Sequence, residues 1–303
     1  MRSSERLDAE WAWRRYEEIR ARLPKARFPE TSRRIGDLGD LIDEIDVFVL
    51  DGYGVLNVGA RVVAGAPERV AALRAAGKRL FVLTNGASYP AARTVERYRR
   101  LGFDFTPGEV VSSRDALARA MTGRQEMRWG FAAVDASAIG ELTRHGVRLG
   151  DDPAQYDAAD GFVLLSTGDW NRARQDLLLG SLRARPRPVL VGNPDLVAPR
   201  EDGLSIEPGF YAHEIADLTG CVPEFYGKPF ANVFDLVRER IGPGVPGHRI
   251  AMVGDTLHTD VLGGAGMNWR TVLVLDHGLL KGFPAGSLDR LSDIRPDFIA
   301  DTT

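Results

Sequence analysis

The 303-residue sequence predicts an α/β fold: a doubly wound, parallel-sheet, Rossmann-like core with a smaller α/β domain inserted into it. Three observations carry that expectation. Short apolar runs alternate with segments that open on proline and close on glycine, the rhythm of parallel strands joined by right-handed helical crossovers. A middle stretch has strand and helix signals of its own, and the first rhythm resumes near Pro223. Hydrophobic residues make up 44% and charged residues 27%, enough apolar material for one large core or two modest ones.

Residues 1–40 read as a helical arm. Trp11, Trp13, Tyr16 and Ile19 form an interrupted apolar face and Pro24 ends it, so the arm is expected to lie on the surface of its own core domain. That core takes residues 41–117 and 208–303. Strand Val47–Leu50 leads to a helix over Pro67–Ala76 closed by Gly77, and strand Leu80–Leu83 runs into Thr84. Pro90 opens a helix that stops at Gly102, and "EVVSSRDALARAM" supplies a third strand–helix unit. The inserted domain, 118–207, has strands in "GFAAVD", "GFVLLST" and "RPVLVGN", with helices near Ala138–His145 and Asn171–Leu182. The core then resumes with "EFYGK", a helix over Ala231–Arg240, strand Ile250–Val253 and "TVLVLD".

The net charge of −3 gives no basic footprint for nucleic acid, and no apolar run approaches the ~20 residues of a membrane span. The single cysteine, Cys221, leaves no internal disulfide and fits a reducing compartment. The N-terminal stretch carries charges throughout and lacks the apolar run of a secretion signal. A cytoplasmic location with no nucleic-acid or membrane partner is the expectation.

Open α/β sheets collect their sites outside the carboxyl ends of the strands. Four such ends offer Asp51, Thr84 with Asn85 and Gly86, Lys228 and Asp255. Alone, each has an ordinary reading: a turn at Asp51-Gly52, a loop start at Thr84, a solvated lysine before Pro229, a helix cap at Asp255 or Asp260. Together they suit phosphoryl transfer. A carboxylate can attack phosphorus, a hard cation can offset the repulsion between them, and a lysine with neutral donors can bind the transferring oxygens.

Here the sequence resembles the haloacid dehalogenase (HAD) superfamily of phosphohydrolases, closest to its class IIA branch, which includes p-nitrophenylphosphatases and pyridoxal-phosphate phosphatases. "VLDGYGVLN", "VLTNGASYP", "YGKPFANVFDLV" and "MVGDTLHTDVLGGAGMNWRTVLVLDHG" resemble the four motifs, and "VGNPDLVAPRED" resembles a segment of that branch's α/β cap. The likeness runs from about residue 46 to 280. It implies a HAD-like core with an inserted cap and a Mg2+ cofactor. Asp51 would be nucleophile and metal ligand, Asp255 a second ligand, and the backbone carbonyl of Tyr53 a third. Thr84 and the amides near Asn85 and Gly86 would hold phosphate, Lys228 would neutralise charge, and Asp260 would orient Lys228 or a metal-bound water. Asn193 and Asp195 would be the cap's contribution over the site. The implied substrate is a small phosphorylated metabolite, and the implied assembly a homodimer.

The departure is Tyr53. Family phosphatases usually carry there a second Asp, which protonates the leaving oxygen, and loss of such a group typically slows catalysis by ~10²–10⁴-fold. Three readings follow: a phosphatase with Tyr53 or a neighbour such as His258 as the acid, a dehalogenase with its similar "DGYG", or a weakly catalytic scaffold. Asp255, which the dehalogenases lack, favours the phosphatase. His258 also reads as an exposed residue at a helix start, His145 as a helix C-terminal residue, and His277 as a rim residue of the site. His213 and Cys221 read as packing residues. Trp170, Phe210 and Tyr211 read as core fillers or cleft residues.

Overall fold

The computed structural model describes residues 7–200, 203–282 and 292–303. The chain opens with helix α1 (Ala9–Glu18), capped by the Asp8 side chain on the Trp11 amide, and a 3-10 turn at Arg20–Arg22 before Pro24. It continues through β1 (Arg33–Ile35), β2 (Val47–Leu50), the small hairpin β3 (Asn57–Val58) and β4 (Arg61–Val62), and α2 (Ala66–Ala75). Then come β5 (Arg79–Thr84), α3 (Ala91–Arg100), β6 (Val110–Ser112) and α4 (Ser113–Met121). A second group follows: β7 (Trp129–Ala132), β8 (Gly146–Arg148), α5 (Pro153–Ala158), β9 (Gly161–Leu164), α6 (Arg172–Ala184) and β10 (Val189–Val191). It ends with the hairpin β11 (Val197–Arg200) and β12 (Gly203–Ile206), α7 (Pro208–Thr219) and β13 (Glu224–Phe225). The chain closes with α8 (Ala231–Ile241), β14 (Ile250–Gly254), a π-helical turn Leu257–Val261, α9 (Leu262–Gly266), β15 (Arg270–Val274) and β16 (Phe298–Ala300).

The larger sheet has seven parallel strands in the order β1-β16-β15-β14-β2-β5-β6. β2 sits inside it and is buried on both faces. Alternation sends Phe48 and Leu50 into one apolar cluster and Val47 and Val49 into the other, so both faces are covered, as a parallel sheet requires. The smaller sheet, β13-β10-β9-β7-β8, is also all parallel. Among the described residues no helix is long and apolar enough to cross a membrane.

Three expectations need correction. The arm is not helical throughout: after Pro24 the chain runs into β1, which pairs in parallel with β16 at the edge of the larger sheet. A three-residue strand reading "RRI" has no alternation to announce it. The helix over Ala138–His145 is absent, and only a 3-10 turn at Ala136–Ala138 forms. The His145 carbonyl accepts the Trp129 amide at 2.9 Å, so this residue enters the β7–β8 ladder instead of ending a helix. Finally, the second group does not stop at residue 207. α7 buries Ala212 and Ile215 in the smaller sheet's cluster, and β13 pairs with β10. Its beginning is shared: within α4, Ala116 packs with the larger sheet while Leu117 and Met121 pack with the smaller.

Candidate active site

β2 delivers Asp51 to the end of the larger sheet, where its amide still donates to the Val253 carbonyl of β14 at 2.8 Å. Asp51 is 7% exposed. Lys228 Nζ lies 2.6 Å from Asp51 Oδ1 and 2.6 Å from Asp260 Oδ1. Asp255, just past β14, accepts at Oδ1 from the Thr256 hydroxyl at 3.0 Å and at Oδ2 from the Leu279 amide at 2.7 Å. Oxygens of Asp51, Asp255 and Asp260 all fall within 4.8 Å of one another.

The turn after β2 is built to permit this crowding. Gly54 has φ +76°, and a Cβ there would stand 2.5 Å from the Cβ of Asp255. Gly254 is tighter still, because an added Cβ would meet Asp260 Cγ at 2.0 Å. Only glycine lets the backbone pass so close to two carboxylates.

Burying acids with a single lysine leaves charge uncompensated. Burial pushes the Asp51 carboxyl well above its ordinary range, Lys228 opposes that, and Asp260 and Asp255 add to it. Asp255 is pushed up to about 6, by burial first and by Asp260 next. Asp195 rises to about 7 through burial, against the pull of Lys228 and the hydrogen bond from Asn85. For Lys228 burial works against the charge, but Asp260, Asp51 and Asp195 more than offset it and the ammonium is held firmly protonated. An all-oxygen donor set with excess negative charge fits a hard divalent cation.

Thr84 ends β5, and its Oγ1 accepts the Gly86 amide at 3.1 Å. Asn85 ties the two sheets' loops together. Its Oδ1 accepts the Lys228 amide at 2.7 Å, and its Nδ2 donates to the Lys228 carbonyl at 3.0 Å and to Asp195 Oδ1 at 2.7 Å. Asn193 accepts the Asp195 amide at 3.0 Å and donates to Glu207 at 3.1 Å. A cavity of about 810 Å³ is lined by Asp51, Tyr53, Thr84, Asn85, Gly86, Asn193, Asp195 and Asp255.

Tyr53 lines the same cavity, and its hydroxyl accepts from Arg97 Nη2 at 3.3 Å and from Arg200 Nη1 at 3.1 Å. These two arginines were not legible beforehand. Arg97 sits in the basic stretch "RTVERYRR", and Arg200 lies in the cap-like segment "VGNPDLVAPRED", in which only Asn193 and Asp195 are given a role by the resemblance.

His258 meets neither expectation. It is 1% exposed, stacked on Tyr16 at 4.8 Å and 2.8 Å from Glu17 Oε1, and does not line the cavity. The arm therefore touches both sides of the site, since the Tyr16 hydroxyl also accepts the Leu196 amide at 3.1 Å. His277 is turned to Thr302 Oγ1 at 3.1 Å. Trp170 is buried and donates to Gln175, His213 is buried against Phe225, and Phe210 and Tyr211 are packed into apolar clusters away from the cavity. Cys221 is a free thiol at the edge of the smaller sheet's cluster.

Two family models match the chain: one described as haloacid dehalogenase-like hydrolase over residues 48–148, the other as HAD-hydrolase-like over residues 225–302. The human glycerol-3-phosphate phosphatase is 32% identical over 268 residues, covering 78% of this chain and 80% of that protein. A chloroplastic phosphoglycolate phosphatase of Arabidopsis thaliana is 25% identical, covering 80% and 72%. Among solved structures, the 4-nitrophenylphosphatase of Thermotoga maritima superposes with a TM-score of 0.69 at 26% identity, covering 86% of this chain and 96% of its own.

Proposed function

From the premise that the chain belongs to the haloacid dehalogenase-like hydrolases, a family in which its relatives are phosphatases, we propose a Mg2+-dependent phosphohydrolase acting on a small phosphorylated metabolite through an aspartyl-phosphate on Asp51. The single observation that carries the residue assignment is the convergence of Asp51, Asp255, Asp260 and Lys228 at the strand ends, three buried carboxylates around one ammonium.

Asp51 and Asp255, with the backbone carbonyl of Tyr53, would hold the metal, which when bound screens the repulsion between the Asp51 carboxylate and the incoming phosphate. Asp51 attacks phosphorus, the phosphorus–oxygen bond to the leaving group breaks, and water then hydrolyses the acyl phosphate to regenerate the carboxylate. Lys228 stays charged throughout, held by Asp260, and lowers the cost of gathering negative oxygens at the strand ends. Thr84 and the amides around Asn85 and Gly86 supply neutral donors to the phosphoryl oxygens.

The leaving oxygen needs a proton, and two groups on the cavity wall can provide it. Tyr53 carries a hydroxyl whose oxygen already accepts two guanidinium donors, leaving its own proton for the substrate. Asp195 is the other, its carboxyl poised near neutrality by burial. The smaller sheet and its hairpin act as the cap, contributing Asn193 and Asp195. Retention of Asp255 beside Asp51 favours this reading over a dehalogenase, whose chemistry calls for no metal, and a scaffold has no use for a nucleophile so placed. With one cysteine and no disulfide, a cytoplasmic location suits the chain. A homodimer is the proposed assembly, by analogy with the family alone.

Hydrolysis of p-nitrophenyl phosphate with Mg2+ and then with EDTA tests the reading. Metal-dependent turnover is expected. Chloride release from 2-chloropropionate with no phosphatase activity would replace it with the dehalogenase.

A further inference from the structure

Two guanidiniums share one neutral oxygen on the cavity wall. Arg97 reaches Tyr53 from α3 of the larger sheet, and Arg200 reaches it from the β11–β12 hairpin on the other side. Both also lie over the tyrosine ring, 5.1 and 5.5 Å from its centroid. Their compensation is unequal. Arg200 is paired with Glu207 at 2.9 Å and bonded to Ser205 at 2.8 Å. Arg97 has no carboxylate partner among the described residues. Its Nη2 donates to Tyr53 and to the Gly59 carbonyl at 2.7 Å, and its Nε and Nη1 make no hydrogen bond among the described residues.

Like charges brought to one oxygen repel, and a neutral phenol and a carbonyl do not cancel them. The tyrosine ring and Glu207 offset part of that repulsion. An oxyanion entering the cavity would offset the remaining positive charge. Arg93, one turn earlier on the same face of α3 and 3.8 Å from Asp135, lines the cavity too, as does Glu96, which is held by Arg99 and Arg100. The same cavity is lined by Asp51, Thr84, Asn85, Gly86 and Asp255, where the reacting phosphate belongs. A guanidinium with N–H groups to spare recognises a planar or tetrahedral oxyanion through paired, charge-assisted bonds.

We propose that Arg97 and Arg200, held together by Tyr53, form the leaving-group subsite and select phosphate esters whose leaving group carries a second anionic group, a carboxylate or a further phosphate. This rests on the phosphohydrolase reading. It also gives Tyr53 a use that an aspartate at the same position would defeat, because a carboxylate there would itself neutralise the arginines.

The test compares kcat and KM for ethyl phosphate, 2-phosphoglycolate and ethylene glycol bisphosphate in the full-length enzyme, with p-nitrophenyl phosphate as the probe of the chemistry itself. The two anionic esters separate a carboxylate from a phosphate as the second group. The expected result is a preference of about 10-fold or more in kcat/KM for at least one of them over ethyl phosphate, expressed mainly in KM. Arg97→Gln should remove most of that ratio and Arg97→Lys should retain part of it. p-Nitrophenyl phosphate turnover with no preference among the three esters, or a preference unchanged in Arg97→Gln, overturns the subsite and leaves the phosphohydrolase standing. No turnover of any ester, p-nitrophenyl phosphate included, overturns the reading on which the subsite rests.

Discussion

Replacing Lys228 by methionine, which keeps the length of the side chain and removes its charge, should destabilise the protein in a way that depends on pH. Lys228 is 1% exposed and contacts Asp51 and Asp260, both at 2.6 Å, with Asp255 and Asp195 close enough to influence the cluster. Breaking a buried pair by removing one partner costs about 3–5 kcal/mol, because the remaining charge is left in a poor solvent. For a chain of this size that is a fall of about 6–10 °C in the thermal midpoint. The sign with pH follows from the carboxylates. Asp51 is already raised above its ordinary value, and without the ammonium it rises further, so the variant's deficit is full at neutral pH and shrinks as the acids take up protons on the way down toward pH 4. Urea unfolding at pH 7.5 and pH 5, followed by far-ultraviolet circular dichroism, measures both points. A double variant with Asp260→Leu should recover part of the loss, since it removes one of the stranded charges. A deficit below about 1 kcal/mol at pH 7.5, or one that grows as pH falls, would refute the reasoning about the buried charge cluster.

Three further outcomes follow from the same geometry. Tyr53→Asp should raise turnover of ethyl phosphate relative to p-nitrophenyl phosphate, by up to ~10²-fold, because the alkoxide needs a proton and the nitrophenolate does not; an unchanged ratio in steady-state assays would place the proton donor elsewhere. Burial lowers His213 to about 3 from its ordinary 6.5, so its stabilisation is full above pH 6.5 and is lost as pH falls toward 3, when only the unfolded imidazole is protonated. His213→Phe, keeping a ring against Phe225, should therefore gain about 2 kcal/mol on the native protein at pH 5 relative to their difference at pH 8, read from paired denaturation curves. Gly54→Ala should lower kcat sharply and stability by about 1–2 kcal/mol, since its φ of +76° disfavours a side chain and its Cβ would displace Asp255; wild-type kcat in a folded variant would contradict the close approach.

Much of the site was legible because strand ends announce themselves. An apolar run that stops at Asp51 or at Gly254-Asp255 says where the carboxylate will stand, and the alternation of units says that these ends meet. The parts that were not legible depend on contacts distant in sequence. His258 looked exposed because its partners, Tyr16 and Glu17, lie some 240 residues earlier in the arm. Arg97 looked like one more charge on a basic helix, and only the turn at Tyr53 and the hairpin at Arg200 give it a direction. The absent helix over Ala138–His145 had adequate local propensity, but the β7–β8 ladder took the His145 carbonyl. The extent of the second unit was misjudged because α7 resembles any core-facing helix, and its pairing with α6 and β10 is tertiary.

The most direct test of the central claim is to quench a single turnover of p-nitrophenyl phosphate in acid and map the phosphoryl group by peptide mass spectrometry. One phosphoryl group is expected on the peptide that holds Asp51, absent when the enzyme is Asp51→Asn, in which metal-dependent turnover is also lost. Turnover that persists in Asp51→Asn, or that proceeds in the native enzyme through a phosphoryl group on another residue, would contradict it.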